Sequence, residues 1–152
     1  GKAAHPYRPA DPANPVNVYG RTKWLGEVAA AEAGRALIVR TSWLYGAGGS
    51  HFVDTVVRLA SERDTLDMVD DQIGRPTWTM SLAATLDTLL KAGIVGTFHA
   101  SDGGPAVSWA GFAREIVRRF PRPVDIRPIS STERRFTAAR RSERTWSQSS
   151  CT

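Results

Sequence analysis

The 152-residue sequence has one cysteine, three histidines and no long apolar run, and each deficit excludes a class of protein. The lone cysteine, Cys151, excludes an internal disulfide framework. No apolar segment approaches the ~20 residues that span a bilayer, so we expect no membrane partner. The first fifteen residues lack the apolar stretch of a secretory signal, so we expect a cytoplasmic protein. The histidines, His5, His51 and His99, have no metal-ligand spacing, so we predict no metal site.

The formal net charge of +5 raises the hypothesis of nucleic-acid binding. Five arginines and two glutamates lie in residues 130–152, so +3 of this charge belongs to the tail and +2 to the rest. The tail has only Phe136 and Trp146 as aromatic side chains, with no binding motif around them. We therefore predict no nucleic-acid partner, and we expect residues 131–152 to be disordered because they have few apolar side chains to bury.

The apolar pattern alternates between helices and strands, which is typical of an α/β fold. A helix is predicted from about Pro15 to Ala33, because Asn14 can cap free amides and Gly34 can end the helix in a left-handed conformation. The continuously apolar segment Ala36–Val39 predicts a parallel strand that is buried on both faces. Further helices are predicted after the caps Ser50 and Ser108 and from Ser81, with strands at 66–68, 96–100 and 124–129.

Tyr19 and Lys23 are four residues apart on the first predicted helix, which places them on one face and one turn apart. An ammonium at this distance stabilises a phenolate, which suits the phenol to proton donation near neutral pH. The same stripe continues through Gly26 and Ala30, whose small side chains allow another backbone to approach. The spacing alone leaves a second interpretation open, in which a half-buried tyrosine lies beside a solvated lysine.

Three motifs in a fixed order give the pair its context: NVYGRTK at 17–23, RTSWLYG at 40–46 and DQIGRPT at 71–77. This series resembles the extended short-chain dehydrogenase/reductase family and, within it, the dTDP-4-dehydrorhamnose reductases. The resemblance covers residues 5–130. It implies the C-terminal part of a Rossmann-like NAD(P)-binding fold over 1–50, a small α/β substrate lobe over 51–130, and a tail over 131–152 that is foreign to the family.

The resemblance also implies a reaction, which is reduction of the 4-keto group of dTDP-4-dehydro-6-deoxy-L-mannose to dTDP-L-rhamnose with NADPH or NADH. Tyr19 would donate the proton, and Lys23 would bind the nicotinamide ribose. The cofactor would lie against the residues that follow the predicted strand at 36–39. The nucleotide-sugar would lie against the Trp43 indole and the polar loop 71–77. These cofactor-binding residues are Tyr19, Lys23, Arg40, Thr41 and Ser42, and the substrate-binding residues are Trp43, Gln72 and Arg75.

The sequence departs from the family at both ends. The family begins with a strand, a glycine loop and a helix that bind the cofactor diphosphate. Here Gly46, Gly48 and Gly49 do not form that fingerprint, and the upstream active-site Thr or Ser is missing. We therefore expect a partial chain that is inactive alone, with a tail produced by truncation or a shifted reading frame. The resemblance allows a homodimer of the full-length protein.

Two further functions are compatible with the sequence. Some relatives are non-catalytic regulatory subunits of the same fold, although nothing structural requires both Tyr19 and Lys23 in such a protein. Related nucleotide-sugar epimerases share the Tyr-Lys pair but keep their cofactor through the cycle. The RTSWLYG and DQIGRPT motifs favour the reductase over the epimerase.

Overall fold

The computed structural model of the chain describes residues 7–134. Its helices are α1 (Val18–Glu32), α2 (Phe52–Glu62), α3 (Thr79–Lys91) and α4 (Trp109–Val117). Its strands are β1 (Leu37–Arg40), β2 (Leu44–Tyr45), β3 (Thr65–Val69), β4 (Ile73–Gly74), β5 (Thr77–Trp78), β6 (Gly96–His99), β7 (Val107–Ser108) and β8 (Asp125–Ile129). The α/β class predicted from the sequence is confirmed. No helix of residues 7–134 combines the length and apolar character needed to cross a membrane.

The chain folds into two compact units, each made of two separate segments. Within the described residues, unit 1 comprises 7–44 and 77–102, and unit 2 comprises 45–76 and 103–134. The sequence predicts a single boundary between two lobes, after residue 50. That prediction places residues 77–102 in the second lobe, whereas the structure places them in unit 1. The prediction that the tail is disordered is wrong for residues 131–134, which form a helical turn in which the N–H of Arg134 donates to the carbonyl of Ser130. The remaining tail residues, 135–152, lie outside the described part of the chain.

Unit 1 contains the parallel pair β1 and β6, in which Leu37 is aligned with Gly96 and Arg40 with His99. The carboxyl ends of both strands therefore meet at one edge. The prediction that the first strand is buried on both faces is wrong for the described residues, because every residue of β1 is only half-buried. The physical reason is that, among residues 7–134, β6 is the only strand paired with β1.

Unit 2 contains the parallel pair β3 and β8, and helices α2 and α4 pack against it. This unit holds a continuous apolar core, whose buried members are Val56, Ala60, Leu66, Met68, Ala110, Ala113 and Ile126. A short antiparallel pair, β4 with β7, aligns Ile73 with Ser108. The register fixes the polar loop 70–76 beside the start of α4.

The structure corrects three of the four predicted helix starts. Asn17, and not Asn14, caps α1 by accepting a hydrogen bond at 2.7 Å from the backbone N–H of Gly20. His51, and not Ser50, caps α2 through its ring nitrogen. Helix α3 begins at Thr79, ahead of Ser81, and has no side-chain cap of its own. The predicted cap of α4 by Ser108 is confirmed.

Candidate active site

Helix α1 presents Tyr19 and Lys23 on the same face, as their spacing predicts. The Nζ of Lys23 lies 5.5 Å from the centroid of the Tyr19 ring, within the range of a cation–π contact. The Tyr19 side chain is 71% exposed, so its phenol is accessible from solvent. An exposed phenol beside an ammonium is suited to exchanging a proton with a bound molecule.

A cavity of about 420 Å³ opens in unit 1 between α1 and the carboxyl ends of β1 and β6. It is lined by one face of the helix, by the two strand ends and by the segment that precedes the helix. The lining includes Gly20, Lys23, Trp24, Glu27, Arg40 and His99. Tyr19 is not part of this lining. The location agrees with the rule that open parallel sheets bind ligands beyond the carboxyl ends of their strands.

Arg40 ends β1 and forms a bidentate ion pair with Glu27 of α1. Its Nε donates to both carboxylate oxygens at 2.9 and 3.1 Å, and its Nη2 donates to Oε2 at 2.6 Å. The hydrogen bonds from Arg40 hold the pKa of Glu27 below its usual range, against a smaller opposing effect of burial. Sequence reasoning missed Glu27, although it lies four residues after Lys23 and so belongs to the same helical stripe.

The residues after β1 differ in exposure and in backbone conformation. Thr41 is exposed, whereas Ser42 and Trp43 are half-buried. Trp43 has a φ of 50°, in the left-handed region that a bulky side chain rarely adopts. Its carbonyl oxygen accepts a hydrogen bond at 3.1 Å from the backbone N–H of Thr77, a residue that is 1% exposed. This contact helps hold Trp43 in a strained conformation, and such strain concentrates at functional sites.

The loop 70–76 belongs to unit 2 and is held at several points. The Nε1 of Trp109 donates to the Oε1 of Gln72 at 3.2 Å, and the Nη1 of Arg75 donates to the carbonyl of Gly104 at 2.7 Å. Gln72 and Arg75 are thus on one anchored loop, while the other predicted site residues are in unit 1.

Asp70 and Asp71, which begin this loop, are anchors. Asp70 accepts a hydrogen bond from the hydroxyl of Ser108, the residue that caps α4. Asp71 accepts hydrogen bonds at 2.9 Å from both the backbone N–H and the hydroxyl of Ser131. The bond from the Ser131 backbone is the main cause that lowers the pKa of Asp71. Among residues 7–134, no group of three or more His, Cys, Asp and Glu side chains could hold a metal ion.

Comparison with known proteins identifies a family and several relatives. A family model described as the RmlD substrate binding domain matches residues 1–150. The chain is 41% identical over 134 residues to a dTDP-4-keto-6-deoxy-D-glucose reductase of Streptomyces niveus. The match covers 86% of this chain and 46% of that relative. It is 42% identical over 139 residues to a dTDP-4-dehydrorhamnose reductase of Streptomyces griseus, with 86% and 45% covered. The chain therefore spans about half the length of these curated relatives.

A solved structure supports the fold. A dTDP-4-dehydrorhamnose reductase from Bacillus anthracis strain Ames, in complex with NADP, superposes with a TM-score of 0.76 and 40% identity. The match covers 79% of this chain and 43% of that one. The resemblance inferred from the three sequence motifs is confirmed, and so is the Rossmann-like α/β class.

Proposed function

Because the chain belongs to the family described as the RmlD substrate binding domain, we propose that it supplies the proton donor and part of the sugar site of a nucleotide-sugar reductase. The proposed reaction is reduction of the 4-keto group of dTDP-4-dehydro-6-deoxy-L-mannose to dTDP-L-rhamnose with NADPH. One observation carries the proposal: the Lys23 ammonium lines a cavity at the ends of β1 and β6 and lies over the Tyr19 ring.

Tyr19 is the proton donor of the proposed reaction. Its phenol gives a proton to the 4-keto oxygen while the 4-carbon accepts a hydride, so the carbonyl becomes a secondary alcohol. The Lys23 ammonium, which lies 5.5 Å from the centroid of the Tyr19 ring, supplies a positive charge beside the phenolate that remains. The exposed position of the Tyr19 ring is consistent with direct contact to a bound sugar.

The residues of the cavity fit the nicotinamide-ribose end of NADPH. The Lys23 ammonium can donate hydrogen bonds to ribose hydroxyls, and Trp24 gives the lining an aromatic wall. Thr41 and Ser42 follow the strand end that contributes Arg40 to the same cavity. When bound, NADPH would supply the hydride, which carries both electrons of the reduction.

The sugar and the nucleotide are assigned to separate residues. We propose that Trp43 forms a flat apolar wall for the deoxysugar, and its strained backbone supports a functional role. Gln72 and Arg75 are proposed to contact the nucleotide-sugar, with the planar Arg75 guanidinium suited to a diphosphate. The hydrogen bonds of both side chains to other parts of unit 2 fix the loop that would present them.

A transplant tests the proposal without depending on the length of this chain. Residues 7–134 would replace the matching segment of the Streptomyces griseus reductase, and NADPH oxidation would be followed with the L-mannose-derived and the D-glucose-derived dTDP-4-keto sugars. We expect turnover of the first substrate. Tyr19→Phe, which keeps the ring, should lower kcat by about 100-fold or more, since a positioned general acid contributes that much.

Lys23→Met should also lose most activity, and Lys91→Met is its matched control. Lys91 lies at the end of α3 and pairs with Asp87 on the surface, so its loss should leave kcat unchanged. A folded transplant that oxidises no NADPH with either sugar would contradict the proposed function. Full activity of Tyr19→Phe would contradict the assigned proton donor.

A further inference from the structure

Helix α1 carries the proposed proton donor, yet none of its fifteen residues is buried in the described part of the chain. Apolar packing of the helix within residues 7–134 is therefore slight. A proton donor needs a fixed location, because a misplacement of about 1 Å can reduce a rate by about 100-fold. Within residues 7–134, contacts other than a buried apolar face therefore set where this helix lies against β1 and β6.

The Glu27–Arg40 pair joins α1 to β1 at the edge of the sheet where the cavity opens. Both side chains are less than one-third exposed, at 23% and 31%, so water screens the pair less than a surface pair. Three hydrogen bonds connect two carboxylate oxygens to a planar guanidinium. This fork fixes an angle as well as a distance, which a single contact cannot do.

The pair also has a defined relation to the chemistry. Glu27 lies one helical turn after Lys23, and both line the cavity with Arg40. Each residue of an α-helix turns the chain by about 100° and advances it by about 1.5 Å. A rotation of α1 that broke the fork would therefore displace Lys23 from the cavity and would move Tyr19 with it.

We propose that Glu27 and Arg40 are positioning residues, which set the rotation of α1 and thereby hold Lys23 at the cavity and Tyr19 beside Lys23. This inference rests on the proposed reductase function. It gives Arg40 a task different from direct contact with the cofactor, because its Nε and Nη2 are both directed to the Glu27 carboxylate. His99 lies at the same cavity, and its charge when protonated also favours the ionised Glu27.

The test uses Glu27→Gln in the transplanted reductase, with Glu32→Gln as the matched control on the same helix. We expect Glu27→Gln to lower kcat by about 10- to 100-fold while the KM for the dTDP-sugar changes less than about twofold, because the proton donor is displaced and the sugar site is not. Glu32→Gln should behave as the parent. A purely structural role would lower thermal stability and leave kcat at a permissive temperature unchanged.

Charge reversal supplies the second readout. Glu27→Arg and Arg40→Glu should each be as impaired as Glu27→Gln, and the double reversal should recover part of the lost kcat by rebuilding an ion pair. Recovery is partial because Arg at position 27 repels Lys23 one turn away. If the kcat of the double reversal did not exceed that of either single variant, the positioning role would be overturned.

Hydrogen exchange of this chain alone separates the inference from the proposed function. The amides of α1 should exchange faster in Glu27→Gln than in Glu32→Gln. Equal exchange in the two variants, or equal kcat in an active transplant, would overturn the inference and leave the function standing. An inactive parent transplant would overturn the function, and with it the catalytic meaning of the pair, even if exchange shows that the pair fixes α1.

Discussion

Trp43 illustrates how a single residue can store strain at a proposed site. Its φ of 50° is a conformation that Gly adopts freely and that any side chain with a Cβ resists. We predict that Trp43→Gly unfolds at a higher urea concentration than Trp43→Ala, with about 1 kcal/mol between them, since both lack the indole and differ only in the Cβ.

At a position without backbone strain, the alanine variant would be the more stable of the two, because Gly loses more conformational entropy on folding. An alanine variant as stable as the glycine variant would therefore show that residue 43 is not strained in solution. In the transplant, both variants should raise the KM for the dTDP-sugar, since both remove the proposed wall of the sugar site.

Glu27 gives a pH dependence with a definite sign. Its ordinary pKa is 4.5, and the Arg40 guanidinium lowers the pKa in the folded chain. A lowered acid pKa contributes stability that is fully present above the unfolded value and is lost as pH falls through the folded value. We predict that the chain exceeds Glu27→Gln in free energy of unfolding by about 1 kcal/mol at pH 7, given the partial exposure of the pair.

Urea titrations from pH 7 down to pH 3 measure this difference. It should stay constant until pH 4.5 and then shrink, because protonated Glu27 no longer forms an ion pair. Glu32→Gln is the control, since Glu32 forms no ion pair with any other residue of 7–134. If the difference in free energy of unfolding between the parent chain and Glu27→Gln increased as the pH fell, the stabilising ion pair between Glu27 and Arg40 would be contradicted.

At the residue scale, the sequence was informative where local spacing decides the geometry. The i to i+4 relation placed Tyr19 and Lys23 on one face, and the structure agrees. The partner of Arg40 could not be predicted in the same way, since it depends on how a helix crosses a strand thirteen residues away. The positive φ of Trp43 was equally inaccessible, because no turn motif requires it.

Among the elements, the helix starts show how far capping chemistry can be predicted. The sequence predicts the Ser108 cap correctly, because this serine directly precedes an apolar helical pattern. Asn14 and Asn17 offer the same chemistry three residues apart, so composition alone could not choose between them. The sequence does not point to His51, because histidine is not among the preferred caps, yet its ring nitrogen accepts a hydrogen bond from the backbone N–H of Asp54.

The two asparagines make a matched pair of variants for α1. We predict that Asn17→Ala lowers the free energy of unfolding by about 1 kcal/mol, because the N–H of Gly20 loses its acceptor. Asn14→Ala should change it by less than about 0.5 kcal/mol, as expected for a site without a capping role. Urea denaturation followed by circular dichroism measures both. If Asn14→Ala lowered the free energy of unfolding more than Asn17→Ala, Asn14 would be the cap of α1, as the sequence predicts.

For the molecule as a whole, apolar burial is uneven between the two units. Every buried apolar side chain among residues 7–134 belongs to unit 2. The fully buried side chain in unit 1 is that of Thr77, at 1% exposure. The sequence predicted a buried strand at 36–39 from its composition, but burial depends on neighbours that the composition of one segment does not reveal. Core formation is thus the property that the sequence predicted least well here.

This imbalance predicts an order of stability. Burial of apolar area is the main favourable term in folding, so unit 2 should be the more stable part of the chain. We expect backbone amides of β3 and β8 to exchange more slowly with solvent than those of β1 and β6. Leu66→Ala should lower the stability of unit 2 by about 2–5 kcal/mol, since Leu66 is 2% exposed in its core.

Val39→Ala is the control for that substitution, because Val39 is half-buried in β1. It should speed exchange in β1 and β6 and leave β3 and β8 protected. Hydrogen exchange read by mass spectrometry resolves the two strand pairs in one experiment. If β1 exchanged as slowly as β3 in the unmodified chain, stability would not follow apolar burial. The half-buried side chains of β1 would then have to be covered in solution by some further surface.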